Sequence, residues 1–210
     1  MRESVNNRLL LHLVTDRSLS QRRSLVEVVA EAVAGGITCV QLREKSCSTR
    51  EFLDEALALK ALLQPLRVPL IINDRVDIAQ AVAADGVHLG QTDMPISHAR
   101  RLLGQNCLIG ISAESVADAI EAEQQGADYI GISPVFSTPT KTDTAPALGL
   151  DGIRQIRELV RIPLVGIGGI SAANAQQVLA AGADGVAVVS AIMAAESPRL
   201  AAEAIRGELG

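Results

Sequence analysis

The sequence predicts an α/β fold, a single (β/α)8 barrel, and three observations lead to it. Short apolar runs of strand length alternate with amphipathic stretches of helix length along the whole chain. One helix-to-strand junction recurs along the chain, and no long linker interrupts the 210 residues. Single barrels of about 200–250 residues are common. We therefore expect one barrel domain over residues 1–210, with an open doubly wound sheet as the alternative.

Eight apolar runs are the predicted strands, because each is short, rich in branched side chains and bounded by turn residues. Pro69 and Pro163 begin two of these runs, where a missing N–H costs little. The runs are LLLHLV (9–14), TCVQL (38–42), PLII (69–72), GVHL (86–89), CLIGI (107–111), YIGI (129–132), PLVGI (163–167) and GVAVV (185–189).

The segments between the runs carry helix signals. Apolar residues recur at helical spacing in 24–36, where two glycines end the pattern. The stretch 49–64 has the same periodicity, with Thr49 as its expected N-cap. The segments 81–90, 123–133 and 179–190 each enter a strand through small residues around an aspartate. This repeated junction indicates one repeating unit, as in a closed parallel barrel.

Composition argues against a nucleic-acid partner. The chain is 48% hydrophobic and 1% aromatic, and its formal net charge is −5. Small branched residues suit parallel strands that are buried on both faces. A general nucleic-acid surface needs positive charge, and a base-stacking platform needs aromatic side chains.

The cysteines and the hydropathy pattern predict a cytoplasmic protein. Cys39, Cys47 and Cys107 are odd in number and irregularly spaced, as expected of reduced thiols. The apolar run Leu9–Val14 is too short for a signal peptide, and no stretch reaches the roughly 18 apolar residues of a membrane span. We expect no membrane partner, and the sequence leaves homo-oligomerisation open.

Active residues of barrels lie at the carboxyl ends of strands, which directs attention to QLREK after the second run. Gln41, Arg43 and Lys45 alternate at a period of two and so share one face, with Glu44 between them. Two cations that converge on the barrel mouth need an anion. A salt-bridged loop start is the structural alternative.

Carboxylates follow the next two runs. Asn73 and Asp74 end the third run, and Asp93 follows the fourth. Two carboxylates at adjacent strand ends suit Mg²⁺, which prefers oxygen ligands and keeps several waters. The alternative is that each aspartate caps the helix after it. His88 is expected to pack within its strand rather than to bind a ligand.

A second anion-binding region is predicted near the end of the chain. The glycine-rich GIGG (166–169) follows the seventh run, and Ser190 follows the eighth. Backbone N–H groups in these two places form the usual phosphate site of barrels. Ser112 follows the fifth run, and STPTK (137–141) follows the sixth, between the two anion-binding regions.

Seven motifs in order resemble the thiamine phosphate synthase family, and the resemblance extends from LHLVTD (11–16) to the last helix. They are QLREK, INDRVDIA, GVHLGQTD, GIS, GISPVFSTPTK, VGIGGI and GADGVAVVSAI. The resemblance implies a barrel that joins hydroxymethylpyrimidine pyrophosphate to thiazole phosphate, plain or carboxylated, giving thiamine phosphate and pyrophosphate. It also implies a pyrimidine carbocation that the thiazole nitrogen captures.

The resemblance implies roles for the matching residues, namely one Mg²⁺ on Asp74 and Asp93 and catalysis by Arg43, Lys45, Ser112 and Lys141. Pyrimidine pyrophosphate would be held by Gln41, Arg43, Lys45, Asn73, Ser112 and Lys141. Thiazole phosphate would be held by Thr138, Thr140, Gly169, Val189 and Ser190. Leu42, Glu44 and Pro139, inside the same motifs, are expected to contact substrate as well.

Three other functions stay open at this stage. They are a thiazole tautomerase, another phosphate-binding barrel enzyme, and a non-catalytic module that binds thiamine phosphate. Tautomerases of this kind usually lack an intact TPTK, which is complete here at 138–141. Asp74, Asp93 and Lys141 are all present, which favours an enzyme over a silent module.

Overall fold

Within the described residues, 8–137 and 147–210 of the computed structural model, eight parallel strands close into a barrel in chain order. β8 pairs with β1, so the sheet has no edge and the open-sheet alternative is wrong. The strands are β1 (Leu11–Val14), β2 (Cys39–Leu42), β3 (Leu70–Asn73), β4 (Gly86–Leu89), β5 (Leu108–Ala113), β6 (Tyr129–Ile132), β7 (Leu164–Ile167) and β8 (Gly185–Val188).

Helices follow each strand and cover the outside of the barrel. In the described ranges they are α1 (Leu25–Ala34), α2 (Thr49–Leu63), α3 (Val76–Ala81), α4 (Ile96–Leu103), α5 (Val116–Gln124), α6 (Gly149–Leu159), α7 (Ala175–Ala180), α8 (Ser190–Met193) and α9 (Pro198–Gly207). A single 3-10 turn, Arg17–Leu19, precedes α1. Among the described helices, none is both long and apolar enough to cross a bilayer.

The N-cap of α2 is Ser48, so the prediction of Thr49 is wrong by one residue. The Ser48 hydroxyl accepts a hydrogen bond from the Glu51 N–H at 3.3 Å, and the Glu51 carboxylate accepts one from the Ser48 N–H at 2.8 Å. This reciprocal capping box satisfies two backbone donors that a helix start leaves unpaired.

Alternate residues of each strand face two different apolar layers. Side chains that point outward, such as Leu13, Val40 and Leu42, pack beneath the helices in the larger core. Side chains that point inward fill the barrel itself, and the apolar ones among them include Val14, Cys39, Ile71, Tyr129, Val165 and Ala187. The apolar runs are nearly continuous because both faces of every strand are buried.

The repeated aspartate of the sequence has one structural role at the amino ends of the strands. Asp85, Asp128 and Asp184 each accept a hydrogen bond, at 2.7–3.0 Å, from an N–H at the start of the strand before them. Each also pairs with a basic side chain of the helix that precedes that strand, namely Lys60, Arg100 and Arg157.

Thr38 takes the corresponding place before β2, where the repeated pattern lacks its aspartate. Its hydroxyl accepts a hydrogen bond from the Leu11 N–H at 2.9 Å and donates one to the Leu11 carbonyl. The four junctions therefore make the same tie between neighbouring strands, at the end of the barrel opposite to the strand ends predicted to be functional.

Barrel closure depends on a close approach at Gly185, the first residue of β8. A Cβ built on Gly185 would lie 1.9 Å from the Leu9 carbonyl oxygen. Because the obstacle is backbone beside the β1–β8 pairing, it cannot be relieved by a side-chain rotation.

We expect Gly185→Ala to lower the free energy of unfolding by about 2–3 kcal/mol, as overpacking of a close contact does. Urea denaturation measures the change. Gly207→Ala is the control, because a Cβ at the exposed end of α9 would meet nothing within 4 Å. The control should change stability by less than about 0.5 kcal/mol, and equal losses in both variants would contradict the explanation.

Candidate active site

A cavity of about 410 Å³ opens at the carboxyl ends of the strands. This volume lies within the range of about 300–1,000 Å³ that small-molecule sites occupy. The cavity brings together residues from β2, β3 and β5 and from the loops after β7 and β8. The predicted site residues that line it are Gln41, Arg43, Asn73, Ser112, Gly169, Val189 and Ser190.

The cationic side of the mouth begins at the end of β2. Gln41 is the last inward residue of that strand and is buried. The Arg43 N–H donates to the Thr15 hydroxyl at 3.0 Å, which ties the loop start to the end of β1. Among the described residues, the Arg43 guanidinium has no hydrogen-bond or ion-pair partner, so its donors are available to an anion.

Leu42 and Glu44 are predicted site residues whose side chains do not line the cavity. Leu42 points outward into the helix-facing core. The Glu44 carboxylate faces Arg17, with Nε and Oε1 3.4 Å apart, and Arg17 also pairs with Glu55. Contacts of these two residues with a substrate would therefore have to come from their backbone.

Lys45 and Asp74 follow the ends of β2 and β3 and form an ion pair, with Nζ and Oδ2 2.5 Å apart, but neither residue lines the cavity. Asp74 has a φ of 61°, in the left-handed region that is uncommon for residues other than glycine. Its N–H donates to the His88 carbonyl at 2.9 Å, so the strained residue is held against the next strand. Its side chain does not cap α3, and the capping alternative for Asp74 is wrong.

Asp93 lies in the loop after β4 and interacts with Asp74. Its Oδ2 accepts a hydrogen bond from the Gly90 N–H at 2.7 Å, while α4 begins without a side-chain cap, so the capping alternative is wrong here too. Partial burial raises the pKa of the Asp93 carboxyl, and the neighbouring Asp74 carboxyl raises this pKa further. Two carboxylates held this close repel one another, and a bound cation would remove that cost.

The two carboxylates fit a Mg²⁺ ion that keeps water and substrate ligands better than they fit a metal ion enclosed by protein ligands alone. Both candidate ligands are carboxylates, the oxygen donors that Mg²⁺ prefers. Within 8–137 and 147–210, no group of three or more histidine, cysteine, aspartate or glutamate side chains could hold a metal ion. An ion on Asp74 and Asp93 would therefore take its remaining ligands from water and from a substrate.

The opposite side of the mouth is built from backbone. Gly168 and Gly169 have φ values of 106° and 65°, which L side chains rarely adopt. The loop after β6 lies on them, since Phe136 donates its N–H to the Gly168 carbonyl at 3.1 Å. Ser190 is exposed at the first turn of α8. Four further predicted site residues, Thr138, Pro139, Thr140 and Lys141, lie outside the described residues.

Sequence reasoning missed three residues on the cavity floor, His12, His88 and Tyr129. The His88 ring contacts the Tyr129 hydroxyl through Nδ1 at 3.0 Å and the Ser112 hydroxyl through Nε2 at 2.9 Å. His88 is buried, as expected, but it also reaches a predicted site residue. The signal was present, because each of the three points inward at the period of two that was applied to Gln41 and Arg43.

His12 is almost fully buried on the cavity floor and stays uncharged. Burial, followed by the nearby His88, lowers the pKa of His12 from 6.5 to about 3. Its Nε2 is buried without a hydrogen-bond partner among the described residues. The cavity floor therefore carries a neutral imidazole at physiological pH.

Comparisons with known proteins find relatives over most of the chain. The sequence model of the family described as thiamine monophosphate synthase matches residues 11–192. The chain is 56% identical over 198 residues to the thiamine-phosphate synthase of Albidiferax ferrireducens, with 94% of this chain and 90% of that protein covered. It is 54% identical over 196 residues to the thiamine-phosphate synthase of Chloroflexus aurantiacus, with 93% and 90% covered.

Solved structures are similar over nearly the whole chain. The thiamine phosphate pyrophosphorylase from Pyrococcus furiosus superposes with a TM-score of 0.90 at 44% identity, covering 98% of this chain and 97% of that one. A 3-hexulose-6-phosphate synthase superposes with a TM-score of 0.70 at 16% identity, covering 96% and 100%. The second likeness shows the fold alone.

The neutral His12 makes folding sensitive to acid. Its pKa is lowered from 6.5 to about 3 in the folded state, so below pH 6.5 the unfolded chain binds a proton that the folded chain does not. Stability should then fall by about 1.4 kcal/mol per pH unit until the folded pKa is reached. Urea denaturation at pH 7 and pH 5 should show that the wild type loses about 2 kcal/mol more than His12→Gln.

His98→Gln is the matched control, because His98 is exposed on α4. This variant should keep the pH dependence of the wild type. If His12→Gln kept that dependence as well, another group would have to be responsible for it.

Proposed function

Because this chain belongs to the thiamine monophosphate synthase family, we propose that its barrel mouth joins a pyrimidine pyrophosphate to a thiazole phosphate. Its activity is thiamine-phosphate synthesis, a transferase reaction of thiamine biosynthesis. The observation that supports the proposal for the substrates is that two unlike polar regions lie at the carboxyl ends of the strands. One is cationic and carboxylate-lined, and the other is neutral and made of backbone.

The cationic region suits the pyrophosphate. Arg43 presents planar donors with no described partner, and Asn73 and Gln41 add neutral polar groups beside it. Arginine binds phosphate oxygens bidentately, which fixes both the position and the orientation of the group. In this proposal Arg43 and Lys45 stabilise the negative charge that grows on the leaving pyrophosphate.

We propose one Mg²⁺ on Asp74 and Asp93, supported by the repulsion between these carboxylates and by their oxygen-only donor set. When bound, the ion would neutralise charge on the phosphate oxygens. Lys45 lies 2.5 Å from Asp74, so the chain offers a second positive charge at the same place. Asp93 keeps its loop closed through the Gly90 N–H, which holds its carboxylate in position.

The reaction that fits these residues is an ionisation followed by capture. The bond between the methylene carbon of the pyrimidine and the pyrophosphate oxygen breaks, and its electron pair leaves with pyrophosphate. The thiazole nitrogen then donates its lone pair to the carbocation and forms the new carbon–nitrogen bond. The chain supplies electrostatic stabilisation and alignment of the two substrates. The apolar walls of the cavity, which include Val165, Ile167 and Val189, exclude water that would compete for the cation.

The thiazole phosphate is assigned to the neutral region. The exposed Gly169 backbone and Ser190 suit a monophosphate that needs hydrogen-bond donors rather than a strong cation. The proposal also keeps Thr138 and Thr140 as phosphate donors, Pro139 as a contact and Lys141 as a cation toward the leaving group. The bond from Phe136 to Gly168 supports this, since it brings the chain that leads to these residues beside the glycine loop.

We further propose that the reaction takes place in the cytoplasm. All three cysteines of the chain are free thiols in the structure, the state that a reducing compartment maintains.

The proposed reaction is tested by incubating the purified protein with both substrates and Mg²⁺. Thiamine phosphate and pyrophosphate should form in equal amounts, and omission of either substrate should abolish thiamine phosphate. Isomerisation of the thiazole substrate alone would instead identify a tautomerase. If no product formed while a relative such as the Chloroflexus aurantiacus protein was active in the same assay, the proposal would be refuted.

The magnesium site is tested by Asp93→Asn, which removes one charge and keeps the size of the side chain. We expect kcat to fall about 100-fold and the Mg²⁺ concentration for half-maximal activity to rise at least about tenfold, because a ligand charge is lost. Asp151→Asn is the control, since that carboxylate is exposed on α6 and pairs only with Arg154 among the described residues. Wild-type magnesium dependence in Asp93→Asn would remove Asp93 from the site.

A further inference from the structure

A chain of hydrogen bonds crosses three adjacent strands below the cavity. Tyr129 of β6 contacts His88 of β4 at 3.0 Å, and His88 contacts Ser112 of β5 at 2.9 Å. The three residues lie on consecutive strands, and the pairing of β4 with β5 and of β5 with β6 brings them together. All three residues line the cavity; Ser112 lies near the carboxyl end of its strand, while Tyr129 begins its strand and is almost fully buried at the floor.

Two glycines make room for the rings. A Cβ on Gly110 would lie 2.1 Å from Cζ of Tyr129, and a Cβ on Gly131 would lie 2.9 Å from Cε1 of His88. Each ring therefore occupies the space that an inward side chain of a nearby strand would otherwise fill. Since the interior of an eight-stranded barrel is packed, this leaves each ring one place.

The direction of the hydrogen bonds follows from the proton on the Tyr129 hydroxyl. Burial raises the pKa of Tyr129 well above its usual value, so the hydroxyl keeps its proton. Among the described residues, the only acceptor for that proton is Nδ1 of His88. A buried hydroxyl donates when an acceptor is within reach, and a neutral imidazole that accepts at Nδ1 carries its own proton on Nε2. Nε2 then donates to the Ser112 oxygen.

We propose that Tyr129 and His88 are positioning residues that orient the Ser112 hydroxyl, so that Ser112 donates its proton to the pyrimidine pyrophosphate. Because Ser112 already accepts from His88, its own proton is left for an acceptor atom in the cavity. In the other tautomer of His88, Nε2 would accept the Ser112 proton. Ser112 would then present only an oxygen lone pair to the cavity. The inference rests on the proposed function, since it concerns how Ser112 meets that substrate.

The test is Tyr129→Phe, which removes one oxygen and keeps the ring in its place against Gly110. We expect kcat to fall about tenfold with both KM values changed less than about twofold, because a donor oriented for the transition state is lost rather than a binding contact. In a Ser112→Ala background the same change should have less than about a twofold effect, since the relay acts only through Ser112.

Thr38→Val is the matched control, because it removes a barrel hydroxyl at the amino ends of the strands, away from the relay. It should leave kcat unchanged. If Tyr129→Phe slowed the Ser112→Ala variant as much as it slows the wild type, Tyr129 would not act through Ser112 and the relay would be refuted.

A second measurement needs no turnover. Nitrogen-15 spectra of the histidine rings distinguish protonated from unprotonated ring nitrogens. His88 should be protonated at Nε2 in the wild type and should lose this preference in Tyr129→Phe. A proton on Nδ1 in the wild type would overturn the relay, whereas failure of the wild type to make thiamine phosphate would overturn the proposed function and leave this result standing.

Discussion

The narrow interior of the closed barrel is the constraint on which the rest of the structure depends. Every strand sends alternate residues into one shared space, so a side chain is admitted only where its neighbours leave room. Gly110 and Gly131 are small because Tyr129 and His88 are large. The same alternation that fills the floor with rings brings Gln41 and Ser112 to the mouth. The inward-facing residues of each strand therefore determine both the packing of the barrel and the chemistry of the site.

The two ends of the barrel divide stability from chemistry. At the amino ends, Asp85, Asp128, Asp184 and Thr38 tie neighbouring strands through backbone hydrogen bonds. At the carboxyl ends, the charges of Asp74 and Asp93 face each other, and Asp74 adopts a strained backbone conformation. A functional site commonly carries such costs, and firm ties elsewhere in the fold offset them.

Much of this could be predicted from the sequence, because barrel strands are signalled locally. The bounds of β4 and β6 agree with the predicted runs, and the period of two through Gln41 and Arg43 places both in the cavity. Local signals were weaker for caps: Ser48 and Thr49 are both good N-caps, and only the spacing to Glu51 decides between them. The contact of Tyr129 with His88 could not be predicted, since it depends on the register of strands that are distant in the chain.

The ties at the amino ends also bear on how the chain is divided. Thr38 and the three aspartates each join a pair of consecutive strands, so the barrel consists of four modules, β1–β2, β3–β4, β5–β6 and β7–β8, that meet through ordinary sheet pairing. Each module has its tie within its own short stretch of chain and can form it before the ring closes. The boundaries between modules are accordingly the places where a rearranged chain, with new termini and the old ones joined, would keep every tie intact.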